Sequence, residues 1–246
     1  MKRFNWQILL ALSLIVLSVL LYLIHYTIFG DAHHIYIYMV GDIAFVPIEV
    51  LLVTVIVHQL LSNREKRARL EKMNMVIGAF FSELGTNLLT FFSDYDPNLE
   101  HIRRNLLVAN DWSKEEFSRV SKLLKNYTCE IDIEKADLVY IRGFLVQKRD
   151  FLLRLLENPI LLEHESFTQL LQAVFHLMDE LENREELKQL PDNDKNHIAG
   201  DIERAYGLLV VEWLGYMKYA RDNYPYLFSF AMRMNPFDQS ASVVLR

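Results

Sequence analysis

The chain has 246 residues, with 26 Lys/Arg against 32 Asp/Glu, a formal net charge of −6 and a single cysteine. The mild acidity excludes a strongly basic nucleic-acid-binding surface, and one cysteine excludes an intrachain disulfide and a cysteine-rich metal site. The 52% apolar content averages two unlike parts, because Lys2, Arg3, Asp31, Asp42 and Glu49 are the only Lys, Arg, Asp or Glu residues before Ser62.

The first element is an apolar run over 8–29, preceded by Lys2, Arg3 and Trp6. It is about twice as long as the apolar core of a signal peptide and no small-residue cleavage site follows it, so it reads as a retained transmembrane helix. The stretch Gly30-Asp31-Ala32-His33-His34 is a tight turn. A second span then covers 35–61, IYIYMVGDIAFVPIEVLLVTVIVHQLL, long enough at ~1.5 Å per residue to cross a ~30 Å hydrocarbon layer with some tilt. Tyr36 and Tyr38 sit where aromatic belts form. Lys2 and Arg3 flank one end of the pair, and Arg64, Lys66, Arg67, Arg69 and Lys72 the other, while the turn carries no Lys or Arg. The positive-inside rule therefore puts both termini in the cytoplasm and makes residues 1–61 a two-helix transmembrane hairpin. The five basic residues after the second span are expected to meet anionic lipid headgroups.

The second span holds two carboxylates and a proline. Asp42 and Glu49 are seven residues apart, on one helical face, and Glu49 falls near the bilayer midplane, where an ionisable group is costly. If residues at equal depth sum to about 66, His25 is level with Asp42, and Ser18 is level with Glu49. Asp42, Glu49, His25 and Ser18 are thus the candidate polar path, with His25 expected to pair with Asp42 within or between hairpins and Glu49 with Ser18, another subunit or water. Pro47 removes a backbone hydrogen bond just before Glu49 and is a candidate kink. Two helices cannot enclose a path, so a pore requires several copies.

Residues 62–93 read as a juxtamembrane amphipathic helix, with Leu70, Met73, Ile77, Phe80, Leu84, Leu88 and Phe91 on one stripe. Residues 94–234 read as a cytoplasmic bundle of five or six helices. They cover about 99–109, 113–126 behind a Ser113/Glu116 capping box, 132–157 as one long helix, 167–186 and 194–222. Residues 235–246 form a tail. No segment alternates as a strand does, so the fold class is all-α. The aromatic run over 224–237 is expected to pack under the bundle or to lie in the inner membrane interface.

Chemistry-bearing motifs are sparse. Asp192, Asp194, Asn196 and Glu203 match some ligand positions of a calcium-binding EF-hand loop, but His197 replaces its glycine and a capped helix start accounts for the acids. The pairs His176/Asp179 and Asp194/His197 each share a helical face, without the Glu-x-x-His repeat of di-iron bundles. His33 and His34 beside Asp31 are weak metal candidates. No nucleotide-binding loop, nucleophile elbow or zincin helix is present, so nothing supports an enzyme and no cofactor is expected.

The segments GDIAFVPIEVLLVTVIVHQLL, LEKMNMVIGAFFSELGTNLL and YPYLFSFAMRMNPF resemble a group of uncharacterised bacterial two-span membrane proteins with a C-terminal helical domain. The resemblance supports this architecture and brings no activity, cofactor or site residues with it; the expected location is the bacterial inner membrane. Two functions follow as expectations. One is an oligomeric channel past Asp42 and Glu49. The other is a membrane-anchored signalling or scaffold protein whose helical domain binds a cytoplasmic partner.

Overall fold

The computed structural model describes residues 2–242, and of residues 2–5 and 7 the backbone alone. The side chains of Lys2 and Arg3, on which part of the topology argument rests, and the last four residues of the expected tail lie outside the described residues. Every element is helical, and no strand occurs among the described residues. The chain divides into two compact units, Met1–Lys66 and Arg67–Arg246.

In the first unit, α1 spans Lys2–Phe29 and α2 begins at Ala32, continuing to Phe80 in the second unit. The turn between them needs only Gly30 and Asp31. Gly30 takes φ +64°, which glycine adopts without a Cβ penalty, and its N–H closes onto the Tyr26 carbonyl at 2.9 Å. Asp31 Oδ1 then accepts from the His33 and His34 N–H groups at 2.9 and 3.2 Å, capping α2. Both helices are long and apolar enough to cross a membrane, and none of either apolar window is buried. Pro47 lies inside α2, where its missing N–H frees the Ile43 carbonyl.

In the second unit, α2 buries Met73, Ile77 and Phe80, the central part of the expected stripe. Leu70 stays exposed. The expected helix over 62–93 continues to Asp94, through a π-helical turn over Phe81–Gly85 that precedes α3, Thr86–Asp94. Gly85 permits close contact there: a Cβ would lie 2.6 Å from the Phe81 ring and 2.7 Å from the Phe80 ring. Both rings are buried, and Phe80 meets Phe167 edge-on at 5.2 Å.

The helices α4, Leu99–Leu106, and α5, Lys114–Leu124, follow, and α5 carries the expected capping box. Ser113 Oγ accepts from the Glu116 N–H, and the Glu116 carboxylate accepts from the Ser113 N–H.

The single helix expected over 132–157 is a correction. Residues 126–137 are loop and turn, held by the Ile131 N–H on Glu203 at 3.1 Å and the Asp132 N–H on the Tyr95 carbonyl at 2.9 Å. Helix α6, Leu138–Gln147, starts on an Asp137 cap, and Lys148 separates it from α7, Arg149–Leu156. A short α8, Pro159–Leu162, leads into α9, Glu165–Glu182.

Helices α9 and α10, Asp192–Asn223, form the most extensive packing pair and bury Phe167, Leu170, Val174, Leu177, Ile202, Tyr206, Leu209 and Trp213. The last helix, α11, spans Pro225–Arg233. Packing continues past it, since Phe237 is buried against Trp213 and Asn235 Nδ2 donates to the Leu106 carbonyl at 2.9 Å.

Candidate functional site

Two places in the molecule hold polar groups that packing alone does not account for. The first lies between α1 and α2. A cleft of about 490 Å³ is lined by Leu14, Leu17, Ser18, Leu21, Tyr22 and His25 of α1 and by Ile35, Tyr38 and Asp42 of α2. Three of the four expected path residues, Ser18, His25 and Asp42, therefore share one cleft. Within one chain no His25–Asp42 hydrogen bond forms among the described residues, and pairing between hairpins, the other expected arrangement, involves a second copy. The His25 ring instead packs at 4.7 Å on Phe29 and at 6.0 Å on His34, and its Nδ1 is buried without a hydrogen-bond partner. Glu49 does not line the cleft. Neither Asp42 nor Glu49 has a hydrogen-bond or ion-pair partner among the described residues.

The turn residues are engaged locally. Asp31 is occupied as the α2 cap, and His34 stacks between His25 and Tyr38. Of the five basic residues after the second span, Arg69 pairs with Glu163 at 3.1 Å, an exposed bridge of at most about 1 kcal/mol. Arg64, Lys66, Arg67 and Lys72 have no ion-pair partner among the described residues.

The second place is on α9 and α10, which run antiparallel so that three pairs meet at successive turns: Arg184 with Asp194, Glu180 with His197, and His176 with Asp201. Arg184 grips both oxygens of Asp194 at 2.7 and 2.8 Å and donates to Glu180 Oε2 at 2.6 Å. These hydrogen bonds hold the Glu180 and Asp194 carboxyls below their ordinary values and raise Arg184.

One turn further along, Asp201 is 2% exposed. Its Oδ1 meets the Arg204 guanidinium at 3.2 Å. Its Oδ2 is buried with no hydrogen bond, yet faces two imidazoles: His197 Nε2 at 3.4 Å and His176 Nε2 at 3.5 Å. Glu180 closes the group, with Oε2 at 3.6 Å from His197 Nε2 and Oε1 at 3.9 Å from His176 Nε2.

The sequence pairs His176/Asp179 and Asp194/His197 are not the ones that meet here. Asp179 instead lies 3.3 Å from Arg149, and Asp194 is held by Arg184. The residues that converge are two i,i+4 pairs, His176/Glu180 and His197/Asp201. Each was legible as a shared helical face, but their convergence depends on how α9 lies against α10. The EF-hand-like spacing, discounted on the motif, forms no loop, because Asp192 to Glu203 lie within α10 and Glu203 accepts from Ile131; the expected side-chain cap is also absent at this helix start, where Pro191 is the N-cap.

A third feature is a cleft of about 570 Å³ walled largely by aromatic residues, among them Tyr216, Tyr219, Tyr224, Tyr226 and Phe230, and floored by Asn74 and Gly78 of α2. Tyr224 donates to Glu71 at 3.0 Å across its rim. The expected packing of the C-terminal aromatic run holds only in part. Phe228 is buried, while Tyr226, Leu227, Phe230 and Met234 are exposed. Cys129 is inert by comparison, since burial pushes its thiol up to about 12.

Residues 69–233 match the family model described as the C-terminal helical domain of uncharacterized protein MJ1433, and residues 2–61 match that of its N-terminal helical domain. The protein MJ1433 of Methanocaldococcus jannaschii, described as uncharacterized, is 48% identical over 240 residues, covering 98% of this chain and 96% of its own. That relative is archaeal, whereas the resemblance seen in the sequence pointed to bacterial proteins. No solved structure matches the chain. The chain thus belongs to the family of MJ1433-like proteins, built from an N-terminal and a C-terminal helical domain.

Proposed function

We propose that this is an integral plasma-membrane protein, spanning the bilayer at 8–29 and 35–61 with both termini in the cytoplasm, and that its hairpins associate into an oligomer around Asp42 and Glu49. The observation that carries this reading is a conjunction. No described side chain from Ile8 to Leu61 is buried, and the two carboxylates on that surface have no partner. Apolar helices left open on all sides need lipid or other copies of themselves to cover them. A carboxylate near the bilayer midplane needs a partner or water, because isolation there costs several kcal/mol. An assembly of hairpins supplies both and makes a polar path past Asp42, Glu49, His25 and Ser18, in the manner of an ion-conducting channel. The unpaired Arg64, Lys66, Arg67 and Lys72 then meet anionic headgroups.

The test is ion flux into liposomes carrying the purified protein, compared with Glu49→Gln. Flux through the native protein that falls at least about tenfold in the variant supports the reading. Absence of flux, or flux indifferent to the substitution, removes it.

A second reading, a membrane-anchored scaffold whose helical domain binds a cytoplasmic protein, is favoured by the exposed aromatic rim of Tyr226 and Phe230 beside their cleft. Exchange of residues 1–61 for an unrelated two-span hairpin separates the two. A scaffold keeps its function after the exchange, and a channel loses it.

A further inference from the structure

The His176, His197 and Asp201 cluster has the composition and spacing of a metal site. Each ligand is placed by a long, well-packed helix, and the two helices are locked one turn away by the Arg184 grip on Asp194 and Glu180. One ligand atom from each of the three residues lies within 4.8 Å of the others. Zinc binds imidazole nitrogen and carboxylate oxygen at about 2.0–2.2 Å, so neighbouring ligands of a tetrahedral ion sit roughly 3.3–3.5 Å apart. The Asp201 Oδ2 distances to the two Nε2 atoms, 3.4 and 3.5 Å, agree with that edge length.

The separate observation pointing to a ligand is Asp201 itself. Its side chain is 98% buried and its Oδ2, aimed between the two rings, accepts no hydrogen bond. A buried carboxylate oxygen without a donor is costly unless something positive meets it. Arg204 reaches Oδ1 and leaves Oδ2 open.

We propose that His176 Nε2, His197 Nε2 and Asp201 Oδ2 bind one divalent first-row transition-metal ion, with Zn²⁺ the best match to the donor set and spacing. The fourth position faces Glu180 and the solvent, since the two histidine side chains are about half exposed at 46% and 53%. Water occupies it, within reach of the Glu180 carboxylate. Arg184 and Arg204 hold the second oxygens of Glu180 and Asp201, fixing the direction in which each carboxylate presents its free oxygen. With neutral imidazoles, Asp201 and Glu180 together carry the two negative charges that balance the ion. The same cluster without metal is an ion-pair network of histidinium and carboxylate, and the experiment must separate the two.

Full-length protein in detergent is stripped with a chelator and titrated with Zn²⁺ against a chromophoric competitor. Native protein is expected to bind one Zn²⁺ per chain and to gain thermal stability with it. Co²⁺ in its place is expected to give the intense visible bands of a four-coordinate ion. The double variant His176→Gln/His197→Gln changes two partly exposed rings and should lose affinity by at least about a hundredfold. The Co²⁺ spectrum of the native protein gives an answer even where a variant folds poorly. Zn²⁺ binding equally weak in native and double-variant protein, or a six-coordinate Co²⁺ spectrum alone, overturns the proposal and leaves the ion-pair network. The titration does not depend on whether the hairpin conducts ions.

Discussion

Leu17 in α1 and Leu170 in α9 are the same residue on two helices, yet 52% of the first is exposed and 0% of the second. The contrast extends to carboxylates. Asp201 is buried and surrounded by Arg204, His176 and His197, whereas Asp42 and Glu49 meet nothing of opposite charge among the described residues. The helical domain builds a continuous core, helix caps and Arg-carboxylate grips, with Asp201 Oδ2 among its few buried polar atoms left without a hydrogen bond. The first unit leaves its described side chains from Ile8 to Leu61 unburied, which is what the proposed membrane reading requires. The sequences already differ, since α1 has no Lys, Arg, Asp or Glu after Arg3 whereas α9 carries Glu165, Asp179, Glu180 and Glu182; the structural counterpart is whether the chain supplies the covering surface.

The contrast breaks most directly by separation. A chain beginning at Arg67 should remain in the supernatant without detergent, with a cooperative thermal transition, whereas the intact chain should stay in the membrane pellet through alkaline carbonate washing. Intact protein released by that wash would remove the membrane reading.

Core truncation is the next largest effect. Phe167→Ala deletes a ring buried against Phe80 and should cost about 3–5 kcal/mol in chemical unfolding of the helical domain. Leu17→Ala should leave that transition within about 0.5 kcal/mol. Equal effects would mean that the two regions unfold as one.

Gly85→Ala forces a methyl group against the Phe80 and Phe81 rings in the π-helical turn and should cost about 1–3 kcal/mol, read as a lower thermal midpoint. An unchanged midpoint would show that these rings yield more freely than their burial implies.

The smallest effect concerns acid. Glu180 and Asp194 are held below their ordinary values of 4.5 and 3.8, chiefly by hydrogen bonds from Arg184. Depressed carboxyls contribute stability that is full above about pH 4.5 and is lost as pH falls through their folded values. With these side chains roughly a quarter to a third exposed, the contribution is at most about 1 kcal/mol. Arg184→Gln should lower stability near neutral pH by that amount and flatten the acid limb of the unfolding profile.

What the sequence made legible were features written within one helix or one turn. The Ser113/Glu116 box and the Met73-Ile77-Phe80 stripe are local patterns of caps and periodicity. The features it hid depend on contacts between elements. Asp132 and Glu134 look like the acidic start of a long helix, but Glu203 and Tyr95 bind the backbone around them and delay the helix to Leu138. The π-helical turn follows from ring packing around Gly85, which no periodicity reports. His176/Glu180 and His197/Asp201 are each visible as i,i+4 pairs, but only the antiparallel register of α9 and α10 makes them one cluster. In the first unit the depth rule agrees with His25 and Asp42 lining the same cleft, while within one chain the His25 ring packs against Phe29 and His34.

The central claim is that the hairpin obtains from other copies what the chain does not supply itself. Native mass spectrometry of the full-length protein released from lipid nanodiscs measures this directly. The account predicts an assembly of at least about four copies that weakens when Asp42 and Glu49 are both changed to leucine. A monomer or dimer, with a stoichiometry indifferent to that double change, would contradict it.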